Sequence, residues 1–141
     1  MQISWGNTEL LDKYSIHLDL KELETSIISL FDKYSLREVS VIFVENSYIQ
    51  NLNKEYRGKD EATDVLSFNL DEGEGEIYLS LEYISQNTKD FLMEVLRMIV
   101  HGLLHIVGYD HKTYFYEDNH DEEMYTIQED YLSQIYKVMK K

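Results

Sequence analysis

Residues 91–111 read FLMEVLRMIVHGLLHIVGYDH and combine a long apolar helix pattern with three histidines. From Asp90 to Val107 the apolar side chains recur every three or four residues, which predicts a helix buried along a broad stripe. The members of this stripe are Phe91, Val95, Met98, Ile99, Leu103 and Ile106. A helix with so broad an apolar face needs partners on several sides, so we expect it to be the central helix of the fold.

The three histidines of this stretch have the spacing His-x3-His-x5-His. His101 and His105 are one helical turn apart and project from the same face. Gly108 can end the helix, because glycine adopts left-handed backbone angles at little cost, and can let the chain bring His111 back toward the pair. Three protein ligands with a vacant position are typical of catalytic zinc, whereas structural zinc usually has four. The spacing therefore predicts a metal site on His101, His105 and His111.

The residues around this predicted site do not determine which metal binds or which contacts orient its ligands. Imidazole suits zinc, nickel, copper and iron alike, so the ligand type does not select among them. Asp110 precedes His111 and either orients a ligating imidazole by accepting a hydrogen bond or stabilises the turn after the helix. We expect His120 to be a surface side chain, because three ligands already complete a catalytic site.

Composition limits the classes of protein to which the chain can belong. We expect residues 1–141 to form a single domain, since this length is enough to bury a core. There is no cysteine, and neither a secretory signal pattern nor an apolar run of about 20 residues is visible, so a cytoplasmic protein is expected. The net charge of −14 repels polyanions, so RNA binding would require a local site, a metal ion or a positively charged partner.

The rest of the chain alternates between short strand patterns and helix patterns. Strands are predicted at Val39 to Val44, Asp64 to Phe68 and Gly75 to Ser80, and a short edge strand at Ile3 to Trp5. One helix is predicted at Leu20 to Tyr34, a second begins after a cap at Asn46 or Ser47, and a third is predicted at Glu117 to Met139. The composition of residues 71–75 predicts a turn between the last two strands. Early strands with flanking helices favour an α+β fold over regular βαβ alternation.

A second group of polar side chains lies in residues 52–68, LNKEYRGKDEATDVLSF, between a predicted helix and a predicted strand. Arg57 can offer a planar, two-pronged donor to a phosphate, and Thr63 and Ser67 can donate hydroxyl groups to backbone or ligand. Lys59 adds a second cation. Neighbouring carboxylates balance the charge locally, so an ordinary polar loop stays open beside phosphate binding by Arg57.

Taken together, these two stretches resemble the YbeY family of bacterial endoribonucleases and ribosomal RNA maturation factors. The resemblance runs from about Val39 to Leu132 with the order of the motifs kept, and Met124-x3-Gln128-Glu129 also fits. It implies an α+β fold in which a small mixed β-sheet packs with several α-helices and the metal site lies on the central helix. It also implies one zinc-type divalent ion, with nickel as the alternative, on the three motif histidines.

The resemblance further implies a function in RNA metabolism. Members of the family act as single-strand-specific endoribonucleases in 16S ribosomal RNA 3′-end maturation and in ribosome quality control. The implied partners are ribosomal RNA, the small ribosomal subunit and ribosome-associated proteins, without a membrane or a nucleotide cofactor. Arg57 is expected to face the RNA as a catalytic residue, and Arg57, Lys59, Thr63 and Ser67 are the expected substrate-binding residues.

The catalytic step itself has two alternatives. A metal ion would lower the pKa of a bound water that attacks the phosphodiester, or the ribose 2′-hydroxyl would attack while the ion stabilises charge. In both, Arg57 would stabilise the charge that develops on the phosphate. No protein general base is assigned, because Gly102 stands where metalloproteases with a His-Glu-x-x-His motif carry their glutamate.

Two other functions remain open from the sequence. A metal-dependent hydrolase of peptides or esters would need a base from elsewhere, for which Asp64, Glu76 and Asp110 are candidates. A non-catalytic ribosome-assembly factor would use its metal only to brace the fold. Two positions also depart from the family pattern: Ala62 stands where many members have proline, which loosens the loop without removing a chemical group, and Glu76 stands where many have aspartate.

Overall fold

A computed structural model describes residues 1–109 and 119–140 of the chain, with the backbone alone for residues 119–122. Its strands are β1 (Gln2–Gly6), β2 (Glu38–Val44), β3 (Val65–Asp71) and β4 (Glu74–Ser80), which lie side by side in the order β1-β2-β4-β3. β2 is parallel to both of its neighbours, whereas β3 is antiparallel to β4 and forms a hairpin with it. The sheet is therefore small and mixed, and β1 and β3 are its edge strands.

Helices cover both faces of this sheet. Those described are α1 (Glu9–Lys13), α2 (Leu20–Leu30), α3 (Asn46–Arg57), α4 (Leu81–Gln86), α5 (Phe91–Val107) and α6 (Asn119–Met139). α5 packs on β3 and β4 from one side and against α6, while on the other side of the sheet α3 forms a separate apolar cluster. None of the described helices is both long and apolar enough to cross a membrane. The predicted α+β class is confirmed.

α5 is the central helix, as its apolar stripe predicts. Its start is fixed by Asp90, whose side chain accepts a hydrogen bond from the backbone N–H of Met93 at 3.1 Å. Its end is fixed by Gly108, which has a φ angle of 127°, a backbone conformation that residues other than glycine rarely adopt. The predicted helix boundaries, Asp90 to Val107, are therefore confirmed to within one residue.

Two glycines bring α5 unusually close to the sheet. A Cβ atom at Gly102 would lie 2.8 Å from Cγ2 and 3.0 Å from Cδ1 of Ile77, a fully buried residue of β4. A Cβ atom at Gly75 of β4 would lie 2.5 Å from Cδ1 of Ile106, one helical turn beyond Gly102. Both distances are shorter than non-bonded carbon atoms tolerate. The short distance between α5 and the sheet at this point therefore depends on the absence of a side chain at each position.

Two local predictions from the sequence are wrong. The helix predicted at Leu20 to Tyr34 ends at Leu30, because the chain turns at Phe31 while the apolar spacing continues: Phe31 is buried and its ring lies 5.6 Å from that of Tyr34. The helix expected to be capped by Asn46 or Ser47 instead begins at Asn46.

Asn46 has contacts with α4 and β4 that take the place of a cap. Its backbone N–H donates to Oε1 of Glu82 at 2.9 Å, and its side-chain oxygen accepts from the hydroxyl of Ser80 at 2.8 Å. The short helices α1 and α4 were not predicted, because helices of five and six residues are too short to display a period. The strand predictions and the turn between β3 and β4 are confirmed.

We predict that Gly102→Ala destabilises the protein by about 1 kcal/mol. Overpacking against Ile77 costs about 1–3 kcal/mol, and the better helix propensity of alanine offsets about 1 kcal/mol of it. Urea denaturation measures the free energy of unfolding. In an Ile77→Ala background the added methyl group enters space that the isoleucine has left, so the same substitution should become neutral or stabilising. A loss of equal size in both backgrounds would contradict the close contact.

Candidate active site

α5 places His101 and His105 side by side, as their spacing predicts. Both side chains are half-buried, their Nε2 atoms lie 3.1 Å apart, and their rings meet edge to face with centroids 4.6 Å apart. Two nitrogens bound to one tetrahedral zinc ion at the usual distances would lie about 3.3 Å apart. The separation of the two Nε2 atoms therefore fits shared coordination of one small ion.

A glutamine of α6 fixes the orientation of the first histidine. Oε1 of Gln128 lies 2.8 Å from Nδ1 of His101, and Nε2 of Gln128 donates to a carboxylate oxygen of Glu129 at 3.1 Å. Because the amide NH2 is directed toward Glu129, its oxygen faces the imidazole and Nδ1 of His101 must carry the proton. Nε2 of His101 then presents its lone pair on the side of His105, which is the tautomer required for binding a metal through Nε2.

An arginine of α5 holds this glutamate in turn. Nε and Nη2 of Arg97 donate to the two carboxylate oxygens of Glu129 at 2.9 and 3.1 Å, and Nη1 of Arg97 pairs with Glu94. The hydrogen bond to Glu129 raises the pKa of Arg97. Burial opposes ionisation of Glu129, but the hydrogen bonds from Arg97 and Gln128 outweigh it and lower the pKa of Glu129 below its ordinary value. A charged clamp thus connects α5 and α6 next to His101.

The sequence reasoning gave no role to Arg97 or to Gln128, although Gln128 fits the family pattern. The notable signal is that Gln128 lies within the buried stripe of α6, four residues after Met124 and before Leu132, and is only 7% exposed. A polar side chain on an apolar helix face must find a partner, because an unpaired buried amide is costly. That argument predicts a buried hydrogen bond at Gln128 without naming the histidine that donates it.

A cleft of about 570 Å³ lies between β3 and the C-terminal half of α5. Its described lining consists of Arg57, Val65, Leu66, Ser67, Phe68, Asn69, His101, His105, Gly108 and Tyr109. Two of the expected substrate-binding residues, Arg57 and Ser67, therefore share the cleft with the histidine pair. No carboxylate belongs to this described lining, so the cleft differs in charge from a protein whose net charge is −14.

The other expected site residues lie elsewhere or outside the described residues. Lys59 is exposed, and the hydroxyl of Thr63 donates to Oδ1 of Asp64 at 3.3 Å; neither is part of the described cleft lining. His111, Asp110 and the side chain of His120 lie outside the described residues. Within residues 1–109 and the described part of α6, no three histidine or acidic side chains converge on one point.

The structure also tests two of the three residues considered as a base for peptide hydrolysis, since Asp110 lies outside the described residues. Glu76 lies on the face of the sheet opposite to Ile77 and α5, and it accepts a hydrogen bond from the hydroxyl of Tyr78 at 3.0 Å. Oδ1 of Asp64 accepts from the backbone N–H of Val65 at 2.8 Å. Position 102 has no room for a glutamate. None of these positions directs a carboxylate at the histidine pair.

Fold and site together define a small α+β protein with a histidine pair in a cleft that also contains an arginine. The family model described as "Endoribonuclease YbeY" matches residues 9–136. The chain is 40% identical over 126 residues to endoribonuclease YbeY of Borrelia turicatae, a match that covers 79% of this chain and 83% of the relative. It is 35% identical to the protein of that name from Thermotoga neapolitana, with 82% and 83% covered.

A solved structure shows the same fold. The solution structure of TM1509 from Thermotoga maritima superposes with a TM-score of 0.64 at 31% identity, covering 97% of this chain and 90% of that protein. The chain therefore belongs to the YbeY endoribonuclease family, and the resemblance drawn from its two motifs is confirmed.

We predict that Gln128→Leu weakens zinc binding by about 10- to 100-fold, because removal of an acceptor that orients a ligating imidazole has an effect of this size. Competition with a zinc-binding dye measures the affinity. Gln134→Leu is the matched control, since Gln134 is an exposed glutamine of the same helix whose amide donates to Asp130. Equal affinities in the two variants would contradict the orienting role.

We predict that the Glu129–Arg97 clamp stabilises the protein only above acidic pH. Because the folded state lowers the pKa of Glu129, its contribution to stability is complete above the ordinary value of about 4.5 and is lost as the pH falls through the lowered pKa. The wild type should therefore exceed Glu129→Gln in free energy of unfolding at pH 7, and the two should converge in acid. Urea denaturation over a pH series measures this, and a constant difference would contradict the clamp.

Proposed function

We propose that this protein is a metal-dependent endoribonuclease that cleaves single-stranded ribosomal RNA in the cleft between β3 and α5, with the 3′ end of 16S RNA as its substrate. The observation that carries the proposal is the pairing of His101 and His105, with the tautomer of His101 set by Gln128, in a cleft that contains Arg57. Membership of the endoribonuclease family supports the reaction class.

We assign one divalent ion to His101, His105 and His111, with zinc as the first choice and nickel as the alternative. When bound, such an ion supplies a Lewis acid and lowers the pKa of a coordinated water. The described ligands fit it: two imidazole nitrogens at a suitable separation, one of them held as a lone-pair donor. The third ligand, His111, is assigned on the sequence spacing and the family motif.

The remaining groups of the cleft bind and orient the phosphodiester. Arg57 is exposed and, within the described part of the chain, forms no ion pair, so its guanidinium is available to non-bridging phosphate oxygens. Such a two-pronged donor strengthens its hydrogen bonds as negative charge accumulates on the phosphate during cleavage. Ser67 lines the same cleft from β3, and its hydroxyl can donate to the same phosphate or to a ribose oxygen.

The charge of the protein supports a ribosomal setting for this activity. A net charge of −14 repels a free polyanion, while the absence of carboxylates from the described lining allows one phosphate to enter the cleft. We therefore propose that the small ribosomal subunit, with ribosome-associated proteins, holds the RNA end near the cleft, and that the protein acts in the cytoplasm.

We predict that Arg57→Ala lowers the rate of cleavage of precursor 16S RNA by about 100-fold or more, because one donor to the transition-state charge is lost. Cleavage is measured with free RNA and with RNA in small subunits. Arg37→Ala is the matched control, since Arg37 is exposed and pairs with Glu74 away from the described cleft lining.

His105→Ala, purified identically, tests the metal and excludes contaminating ribonucleases. The proposal requires that this variant is inactive, that a chelator stops the wild type reversibly, and that the variant keeps the melting temperature of the wild type. Equal cleavage by wild type and His105→Ala would overturn the proposal. Loss of folding together with activity would favour an assembly factor whose metal only braces the fold.

A further inference from the structure

Four aromatic side chains form a continuous surface on the side of the sheet opposite to α5. We call Tyr48, Tyr56, Phe68 and Tyr78 the aromatic array. The rings of Tyr56 and Phe68 meet edge to face with centroids 5.4 Å apart, those of Phe68 and Tyr78 do so at 5.8 Å, and Tyr78 and Tyr48 stack at 6.2 Å. The array therefore runs from the end of α3 across β3 and β4 and back to the start of α3.

The outer two rings of the array are unusually exposed. Tyr56 is 62% and Tyr48 is 53% exposed, whereas Phe68 and Tyr78 are half-buried beneath them. Leu70, which follows Phe68 on the same edge strand, is 61% exposed. Exposed rings grouped on one surface, rather than scattered singly, are typical of a binding surface.

The array meets the cleft at the edge strand β3. Phe68 belongs to the array and also lines the cleft, and Tyr56 directly precedes Arg57, whose side chain lines the cleft as well. Tyr48 and Tyr56 are eight residues apart on α3, about 12 Å along the helix axis, and so lie on one side of it. A chain molecule with its phosphate at Arg57 therefore reaches Tyr56 first and Tyr48 further along.

Tyr78 contacts an acidic side chain beneath the array. The hydroxyl of Tyr78 donates to Glu76, and burial together with this hydrogen bond raises the pKa of Tyr78 to about 12. The carboxylate of Glu76 is therefore engaged by that hydroxyl. The array thus offers uncharged ring faces rather than a phosphate site.

Unpaired bases are the ligands that such a surface suits. Every base has a flat face, so stacking on exposed aromatic rings is tolerant of sequence and does not depend on positive charge. Tyr48 and Tyr56 lie about 12 Å apart along the axis of α3, whereas stacked bases in a duplex strand are about 3.4 Å apart, so the two exposed rings suit a strand whose bases are spread apart.

We propose that Tyr56 and Tyr48 each stack an unpaired base of the RNA strand whose phosphate is held at Arg57, with Phe68 and Tyr78 supporting the two exposed rings. The proposal rests on the proposed function, since it extends the same cleft. It explains how a strongly acidic protein holds RNA: the array contributes affinity that does not come from attraction between charges.

Fluorescence anisotropy with a labelled oligoadenylate of twelve nucleotides tests the proposal. Tyr56→Ala and Tyr48→Ala should each weaken its binding by roughly 5- to 150-fold, and the loss should be the same at low and high salt. An oligomer of the same length without bases carries the same phosphates and should bind the wild type and both tyrosine variants equally. A gel at the end of each titration verifies that the oligomer is intact.

Matched variants separate stacking from other causes. Tyr56→Phe keeps the ring and should bind like the wild type, and Tyr125→Ala removes a tyrosine of α6 that is equally exposed, at 64%, and should have no effect. Arg57→Ala should weaken the binding of both oligomers, and this loss of affinity should become smaller as the salt concentration is raised.

The outcomes distinguish this proposal from the proposed function. Unchanged oligoadenylate binding in both alanine variants, or equal weakening for the oligomer without bases, overturns the stacking proposal and leaves the array to a protein partner; cleavage of ribosomal RNA by the wild type would then still support the endoribonuclease. If the alanine variants bind oligoadenylate more weakly but the wild type cuts no RNA, the result would instead support the stacking proposal and overturn the proposed function. Equal affinity of the wild type for oligoadenylate and for the oligomer without bases would also overturn the stacking proposal.

Discussion

The close contact between α5 and β4 is the constraint on which the site depends. Gly102 and Gly75 leave out the side chains that would hold the helix away from the sheet, so Ile77 and Ile106 pack directly against backbone. Because His101 and His105 flank Gly102 and Ile106 on the same helix, this packing sets their height above β3, and with it the width of the cleft. A glutamate at position 102 would supply a peptidase base but would force the helix off the sheet, so the packing and the peptidase motif exclude each other.

The second constraint is the polar connection between α5 and α6. The carboxylate of Glu129, held by two nitrogens of Arg97, orients the amide of Gln128, and the amide orients His101. Each hydrogen bond fixes the orientation of the next group. The clamp fixes the position of the Glu129 carboxylate, the carboxylate determines which end of the Gln128 amide faces the imidazole, and the amide determines the tautomer of His101. The clamp stabilises the folded state above acidic pH, and we infer that it also orders the ligand through Gln128.

The sequence predicts the features that have a period or a rigid spacing. The apolar stripe of α5, the alternation in β4 and the separation of His101 from His105 follow from backbone geometry, and all three are observed. It fails where tertiary contacts replace local rules, as at Asn46, whose groups bond to α4 and β4 instead of capping α3. The role of Gln128 was out of reach for the same reason: its partner is 27 residues away, on another helix.

The tautomer of His101 tests the central claim most directly. Long-range proton–nitrogen correlation spectra of the metal-free protein, at a pH at which imidazole is neutral, report which ring nitrogen carries the proton. The account predicts that Nδ1 is protonated and Nε2 is not, and that addition of one equivalent of zinc shifts the Nε2 resonances of His101 and His105 together. A proton on Nε2 of His101, or a zinc titration that leaves both Nε2 resonances unchanged, would contradict it.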